Sequence, residues 1–176
     1  MKRIALVLVL AAGALTVGGA AAAGHGGGTR VQGDAGLVAH NVFGLQTLEL
    51  KRFEFSARVV GPGDAARGKF VYREVDDGAP TDANGPIWCV TVIGNEAWIG
   101  GTIERSSDPT LVGLGGWWHV VDNGDQGEGG PPDITTFMGV GSIAATQAFC
   151  DTHPPFRQPF AIQRGDIQVG EGSTRS

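Results

Sequence analysis

Motifs of known chemistry are nearly missing from this chain of 176 residues. It contains no HExxH, which would indicate a helical zinc protease, and no CxxC, which would indicate thioredoxin-like redox chemistry. Gly141 and Ser142 do not belong to a GxSxG elbow, and neither a phosphate loop nor a dinucleotide fingerprint occurs. No catalytic residue can therefore be assigned by motif, although catalytic groups can still converge from distant strands.

An excess of basic residues is also lacking. The formal net charge is −5, and residues 1–23 contain Lys2 and Arg3 but no acidic residue, so their removal would leave −7. A chain this acidic gives no electrostatic reason to expect a nucleic-acid partner or an anionic lipid surface.

One long apolar run is present, and it lies at the N-terminus. Residues 4–17 follow Lys2 and Arg3, and small residues come next at 21–23. This order predicts a signal peptide over 1–23, with cleavage after Ala23 and a secreted, extracellular or periplasmic product. The alternative is a transmembrane anchor, which the short run and its glycines disfavour. We expect no membrane span after cleavage, and an extracellular or cell-surface partner is compatible with this location.

Cysteine is rare, with Cys89 and Cys150 as the two in the sequence. An even number in an exported chain favours one disulfide, the alternative being two buried thiols. The bridge would close a loop of 61 positions, for which chain entropy gives an upper figure of about 4 kcal/mol.

The apolar pattern has a period of two, and no segment has the period and length of a long helix. Over 48–60, Phe53 and Phe55 alternate with polar residues, and over 69–75 Phe70 and Tyr72 do the same. With 30 glycines and 9 prolines to form turns, the pattern predicts an all-β fold. We expect an antiparallel β-barrel, or else a β-sandwich, of about seven to eight strands. A short helical turn is expected near 142–149.

The expected domain organisation follows from the same pattern. After the signal peptide, a flexible Gly-rich segment is predicted over 24–46 and a single β domain over 47–169. A disordered polar tail is predicted over 170–176.

The central feature of the predicted domain is a β-hairpin over 87–102, with Gly94 and Asn95 as its two-residue turn. Gly100 and Gly101 mark a bulge or a close backbone approach. The register pairs Cys89 with Gly100. It assigns the main core face to five apolar residues: Trp88, Val90, Val92, Ala97 and Ile99. Cys89 is then on the opposite face, so the segment that carries Cys150 must cover that face.

Candidate ligand-binding residues are Trp117, Trp118, His119 and Tyr72. The two tryptophans are adjacent in a strand, so one of them should face a surface or a cavity. His119 is a candidate acid or base. Core packing is the alternative for the aromatic residues.

An acidic loop is the candidate metal site. Its oxygen-bearing residues are Asp122, Asn123, Asp125 and Glu128. Such side chains are typical calcium ligands, but their spacing does not match an EF-hand. The alternative is a turn between two strands. Calcium is the one cofactor that the sequence suggests.

Six segments form one pattern: FEFSARV, GKFVYREV, WCVTVIGNEAWIGG, HVVDNGDQGEG, the pair FC and RGDIQVG, spread from Leu48 to Val169. Together they resemble a family of secreted bacterial all-β domains of unknown function. The resemblance implies an exported β domain and assigns no catalytic residue or cofactor.

Three functions remain open at this point. The favoured one is a structural or interaction module at the cell exterior, without catalysis. The second is a barrel that binds a small molecule or a glycan. The third is a barrel-type isomerase or cyclase. A filled interior would favour the first, and a deep cavity the other two.

Overall fold

A computed structural model describes residues 28–61, 65–124, 130–155 and 157–171. Within these ranges the chain forms eleven strands and one α-helix. The predicted signal peptide and residues 172–176 of the predicted tail lie outside the described residues. The tail prediction is wrong for Gly170 and Glu171, which belong to the last strand and pair with the first. The strands are β1 Thr29–Val42, β2 Leu45–Val59, β3 Ala65–Asp76, β4 Ala79–Ile93, β5 Glu96–Thr102, β6 Arg105–Ser106, β7 Gly115–Val121, β8 Ile134–Thr135, β9 Gly139–Gly141, β10 Phe160–Ala161 and β11 Arg164–Glu171. The helix α1 spans Ile143–Thr152, and a 3₁₀ turn spans Pro109–Leu111.

The strands form one antiparallel sheet that curls into a half-barrel, which confirms the all-β prediction. The order across the sheet is β10-β8-β7-β5-β4-β3-β2-β1-β11, while β6 pairs with β4 and β9 with β7. Seven of these strands have seven or more residues. Helix α1 begins where a helical turn was predicted, after Ser142, whose side chain accepts a hydrogen bond from the Ala145 amide. In the part described, no helix has the length and apolarity needed to cross a bilayer.

The predicted boundary at residue 47 is wrong, because β1 belongs to the sheet. It pairs with β2 on one side and with β11 on the other. Gly33, which made this stretch look unstructured, permits close packing. An ideal Cβ there would lie 2.6 Å from the Phe55 ring. The polar run 76–86, whose Asp, Asn, Gly and Pro residues are typical of a loop, belongs mostly to strands. Asp77 and Gly78 form a tight turn with φ of 45° and 93°, and β4 starts immediately after it.

The concave side of the half-barrel is filled with aromatic and aliphatic side chains. Trp118 is fully buried at its centre, with ring centroids 4.9 Å from Phe53 and 5.4 Å from Phe70. Phe53 also packs edge-on against Tyr72 at 5.0 Å. Alternate residues of β2, β3 and β7 therefore supply the core, as their period of two predicts.

The β4–β5 hairpin has the predicted register: Cys89 pairs with Gly100, and Ile93 with Glu96 beside the turn. Gly94 has a φ of 63°. The one correction concerns Trp88, which was assigned to the core face. A register shift between Ile87 and Cys89 gives Ile87 the buried position. Trp88 stays partly exposed and donates a hydrogen bond from Nε1 to Thr102 Oγ1.

Helix α1 covers the opposite face of the hairpin, where Cys150 forms a disulfide with Cys89 at a Cα–Cα distance of 6.3 Å. Thr91 Oγ1 donates to the carbonyl of Cys150 at 2.9 Å. The helix approaches closely because the strand beneath it has no side chain at Gly100. An ideal Cβ there would lie 2.6 Å from Cγ2 of the buried Thr146.

Two aspartates join the edges of the curled sheet. Asp122, at the end of β7, accepts a hydrogen bond from the Val169 amide of β11 at 2.9 Å. The fully buried Asp133 accepts one from the Ile167 amide at 2.8 Å. Side-chain carboxylates therefore connect β11 to the residue that follows β7 and to the residue that precedes β8.

Candidate functional site

A cleft of about 650 Å³ lies at one end of the half-barrel. Its walls come from the β1–β2 turn, the end of β3, β7, the 136–139 segment, α1 and the chain that follows α1. The apolar and small lining residues are Phe43, Leu45, Leu48, Trp117, Phe137, Met138, Gly139, Ala145, Ala148, Phe149, Pro154 and Pro155. The polar lining residues are Glu74, Asp76, His119, Thr136, Thr152, Arg157 and Gln158. The cleft is thus mainly apolar, with a few ionisable groups.

Trp117 is held in the cleft by the short strand β9. Its ring lies against Gly139, where an ideal Cβ would come within 2.5 Å of Nε1. On its other side the ring centroid lies 6.2 Å from that of Phe149 in α1. Since Trp118 points into the core, the alternation of β7 leaves Trp117 to face the cleft.

Phe43 lies in the β1–β2 turn at the rim of the cleft. It is 57% exposed, and its φ of 51° is uncommon for an aromatic residue. Its ring packs edge-on against Phe137 at 6.2 Å. Phe43 and Gly44 are the two turn residues between the paired Val42 and Leu45, and such hairpin turns take positive φ at both positions. The turn therefore holds the Phe43 ring at the rim.

Glu74 and Asp76 give the cleft its acidic corner, a name used below for these two residues. They follow Phe70 and Tyr72 on the same face of β3, at the point where the core ends. The Tyr72 hydroxyl donates to Glu74 Oε2 and accepts a long hydrogen bond from the Met138 amide at 3.4 Å. Tyr72 therefore links the core to the acidic corner.

Desolvation governs the protonation of this corner. Burial raises the pKa of Glu74, against the hydrogen bond from Tyr72, and the Asp76 charge raises it further. Burial, followed by the charge of Asp77, raises the pKa of Asp76. Oδ1 of Asp76 is inaccessible to solvent and makes no hydrogen bond to the residues described. Both carboxylates thus carry their charge at a cost.

His119 is the third ionisable group on the cleft wall and is 2% exposed. Its ring stacks on Trp98 at a centroid distance of 4.1 Å, and Nε2 lies 2.9 Å from a carboxylate oxygen of Glu96. Burial lowers its pKa, although Glu96 acts in the opposite direction. The neutral imidazole is therefore favoured.

The four predicted ligand-binding residues divide into two pairs. Trp117 and His119 line the cleft, whereas Trp118 and Tyr72 are packed in the core, with exposed fractions of 0% and 1%. The sequence analysis missed Glu74 and Asp76. Extending the alternation by four residues would have assigned them to the same face as Phe70 and Tyr72, but not to a cleft.

The predicted calcium site is described only in part, because Asp125 and Glu128 lie outside the described residues. Asp122 accepts backbone hydrogen bonds from Gly124 and Val169. Asn123 donates to the Pro132 carbonyl. Within the described ranges, no group of three or more His, Cys, Asp or Glu side chains is arranged to hold a metal ion. Calcium binding stays a prediction.

Comparisons of the chain with protein-family models, with curated protein sequences and with solved structures gave no match. The resemblance to secreted bacterial domains therefore stays a prediction, and function has to be argued from the cleft.

Proposed function

We propose that this protein binds a small, largely apolar molecule in the cleft at the end of its half-barrel. The core of the half-barrel is filled, which by itself favours a structural or interaction module. The observation that carries the binding proposal is a separate cleft of about 650 Å³ at the end of the half-barrel. Ligand pockets commonly measure about 300–1,000 Å³, with mostly apolar walls and a few polar groups. The apolar walls and the few ionisable side chains of this cleft match that description.

The exposed apolar groups at the cleft support the same proposal. Phe43 is the most exposed of the large apolar side chains in the described residues. Phe137, Met138 and Phe149 are only partly buried. A bound apolar molecule would remove their surfaces from water, which would stabilise the complex by about 25 cal/mol per Å² of apolar surface buried.

Binding of the neutral, apolar dye Nile red tests this function through the rise in its fluorescence. Ala148 lines the cleft from α1, whereas Ala144 is exposed on the same helix and does not line it. We expect the wild type and Ala144→Trp to bind the dye, and Ala148→Trp to bind at least about tenfold more weakly because the indole fills the cleft. Equal binding by the two variants would contradict the proposal.

An acid–base enzyme acting in the same cleft is the second candidate. The pKa of Glu74 and that of Asp76 are raised, and His119 shares the cleft wall, an arrangement typical of active sites. Chemical change of the bound molecule, abolished in Glu74→Gln, would distinguish an enzyme from a binding protein.

The place of action we propose is outside the cytoplasm, in the extracellular space or a periplasm. The Cys89–Cys150 disulfide supports it, because such bridges persist in oxidising compartments. The N-terminal signal-peptide pattern supports it independently. A structural or interaction module remains compatible with this location, but it would not require the cleft.

A further inference from the structure

The acidic corner consists of two carboxylates in a cleft whose walls are otherwise mainly apolar. Glu74 and Asp76 are both partly buried. Removing a carboxylate from water costs free energy, because its hydration is lost, unless hydrogen-bond donors or cations compensate for that loss. Glu74 has the Tyr72 hydroxyl, but Asp76 Oδ1 is solvent-inaccessible and makes no hydrogen bond to the residues described. The corner is therefore poorly compensated in the protein alone.

The positively charged groups of the cleft do not provide this compensation. Arg157 lines the cleft but is exposed, so water and salt screen its charge. His119 lies against Glu96 and favours its neutral form. Asp77, beside Asp76, adds negative charge. The complementary group for the corner is thus a cation on the ligand.

The position of Glu74 and Asp76, two residues apart on one face of β3, allows both carboxylates to contact one ammonium group. Residues two apart on one face of a strand are about 6.5 Å apart along the chain. An ammonium has three N–H donors and can reach two such carboxylates at once. Because charge is shared over both oxygens of a carboxylate, the cation would compensate Asp76 without contacting Oδ1.

We propose that the ligand of the cleft is an amphiphilic amine, with its ammonium group between Glu74 and Asp76 and its apolar part against Trp117 and Met138. The proposal rests on the binding function proposed above and specifies the class of molecule. A glycan fits less well, because most of the lining residues offer no hydrogen bond to hydroxyl groups.

Displacement of Nile red by probes with the same octyl chain tests the proposal at low salt and about pH 8. The probes are octylamine, octanol, octanoate and octyl glucoside. We expect octylamine to displace the dye at a concentration at least about tenfold below that of octanol, since charge-assisted hydrogen bonds are the stronger ones. Octanoate should be the weakest of the four.

Variants locate the cation. Asp76→Asn should weaken the binding of octylamine about tenfold and leave the binding of octanol unchanged. Glu74→Gln, which can still accept the Tyr72 hydrogen bond, should act in the same direction and serves if Asp76→Asn fails to fold. The control is Asp34→Asn, the same charge change at an exposed site on β1 outside the cleft, and it should leave both probes unchanged.

The failures of the two proposals are distinguishable. Equal displacement by octylamine and octanol, with Nile red bound, would overturn the amine while leaving the binding function. Tighter binding of octyl glucoside than of octylamine would overturn it in favour of a glycan. If Asp34→Asn weakened octylamine binding as much as Asp76→Asn, the proposal that the ammonium group binds at the acidic corner would be overturned. If Nile red itself does not bind, the binding function fails first.

Discussion

Along β3, consecutive residues of one face lead from the core to the cleft. Phe70 and Tyr72 are buried, and Glu74 and Asp76 follow at the cleft wall. The Tyr72 hydroxyl donates a hydrogen bond to one carboxylate oxygen of Glu74, but burial still raises the free energy of the ionised Glu74 side chain. Glu74 thus resembles functional residues that are retained at some expense of stability.

The pH dependence of stability tests whether the ionised Glu74 side chain lowers the stability of the folded protein. Because the folded-state pKa is raised, Glu74 favours folding at acidic pH and loses that contribution as the pH rises through the folded-state pKa. Glu74→Gln should therefore raise the free energy of unfolding at pH 7 by on the order of 1 kcal/mol. The gain should disappear below the ordinary pKa of 4.5.

Urea unfolding at several pH values measures this difference. The exposed Glu104 provides the control, because Glu104→Gln should change stability little at any pH. A loss of stability in Glu74→Gln at neutral pH would contradict a costly Glu74 carboxylate.

At the scale of single residues, the period of two predicts which face of a strand a side chain takes. It does not predict where along the strand the buried core gives way to a cleft. It correctly indicates that Trp117 and Trp118 face opposite sides, and that Phe53, Phe55, Phe70 and Tyr72 are buried. It cannot indicate where along β3 the core ends. That point depends on the 136–139 segment and on α1, which lie 60 or more residues further along the sequence.

At the scale of elements, local signals predict the β4–β5 hairpin, whereas contacts distant in sequence decide the rest. Gly94 and Asn95 set the turn, and the register follows from it. The register shift at Trp88 accompanies the close approach of Gly101 to the Pro86 carbonyl, and the glycine pair at 100 and 101 indicated it in the sequence. β1 was missed because its glycines, Gly33 among them, made it look unstructured, and because one of its two partner strands, β11, lies at the other end of the chain.

The docking of α1 gives a prediction at this scale. An ideal Cβ at Gly100 would lie 2.5 Å from Cys89 Sγ and 2.6 Å from Thr146 Cγ2. Real Cβ atoms do not approach so closely, so Gly100→Ala should displace the helix and destabilise the protein by about 1–3 kcal/mol. Thermal unfolding under oxidising conditions measures the effect.

Two further variants make the prediction specific. At Gly61 a Cβ would meet nothing within 4 Å, so Gly61→Ala should be neutral or slightly stabilising. Thr146→Ser removes the methyl group that the new Cβ would contact, and should recover part of the loss in the double variant. If Gly100→Ala and Gly61→Ala melt alike, close packing beneath α1 is not needed.

For the whole molecule, the main question is how an open, curled sheet is held together at its two edges. The ladder hydrogen bonds end at β11 on one side and at β10 on the other. Asp122 and Asp133 span the gap by accepting hydrogen bonds from amides of β11. The sequence showed Asp122 as part of an acidic loop, and nothing local distinguished Asp133. Its role exists only once both ends of the sheet are in place.

The last prediction concerns Asp133. Its carboxylate accepts hydrogen bonds from the Ile167 and Asn123 amides, each at 2.8 Å. Asp133→Ala removes both acceptors, and each buried donor left without one costs about 1–3 kcal/mol. We expect a loss of about 3 kcal/mol in urea unfolding, and faster hydrogen exchange at the Ile167 amide than in the wild type. Asp166→Ala, at an exposed site on the same strand, should change neither quantity. If Asp133→Ala kept wild-type stability and exchange, the edges would be held by the packing of Ile162 and Ile167 against the core rather than by the carboxylates.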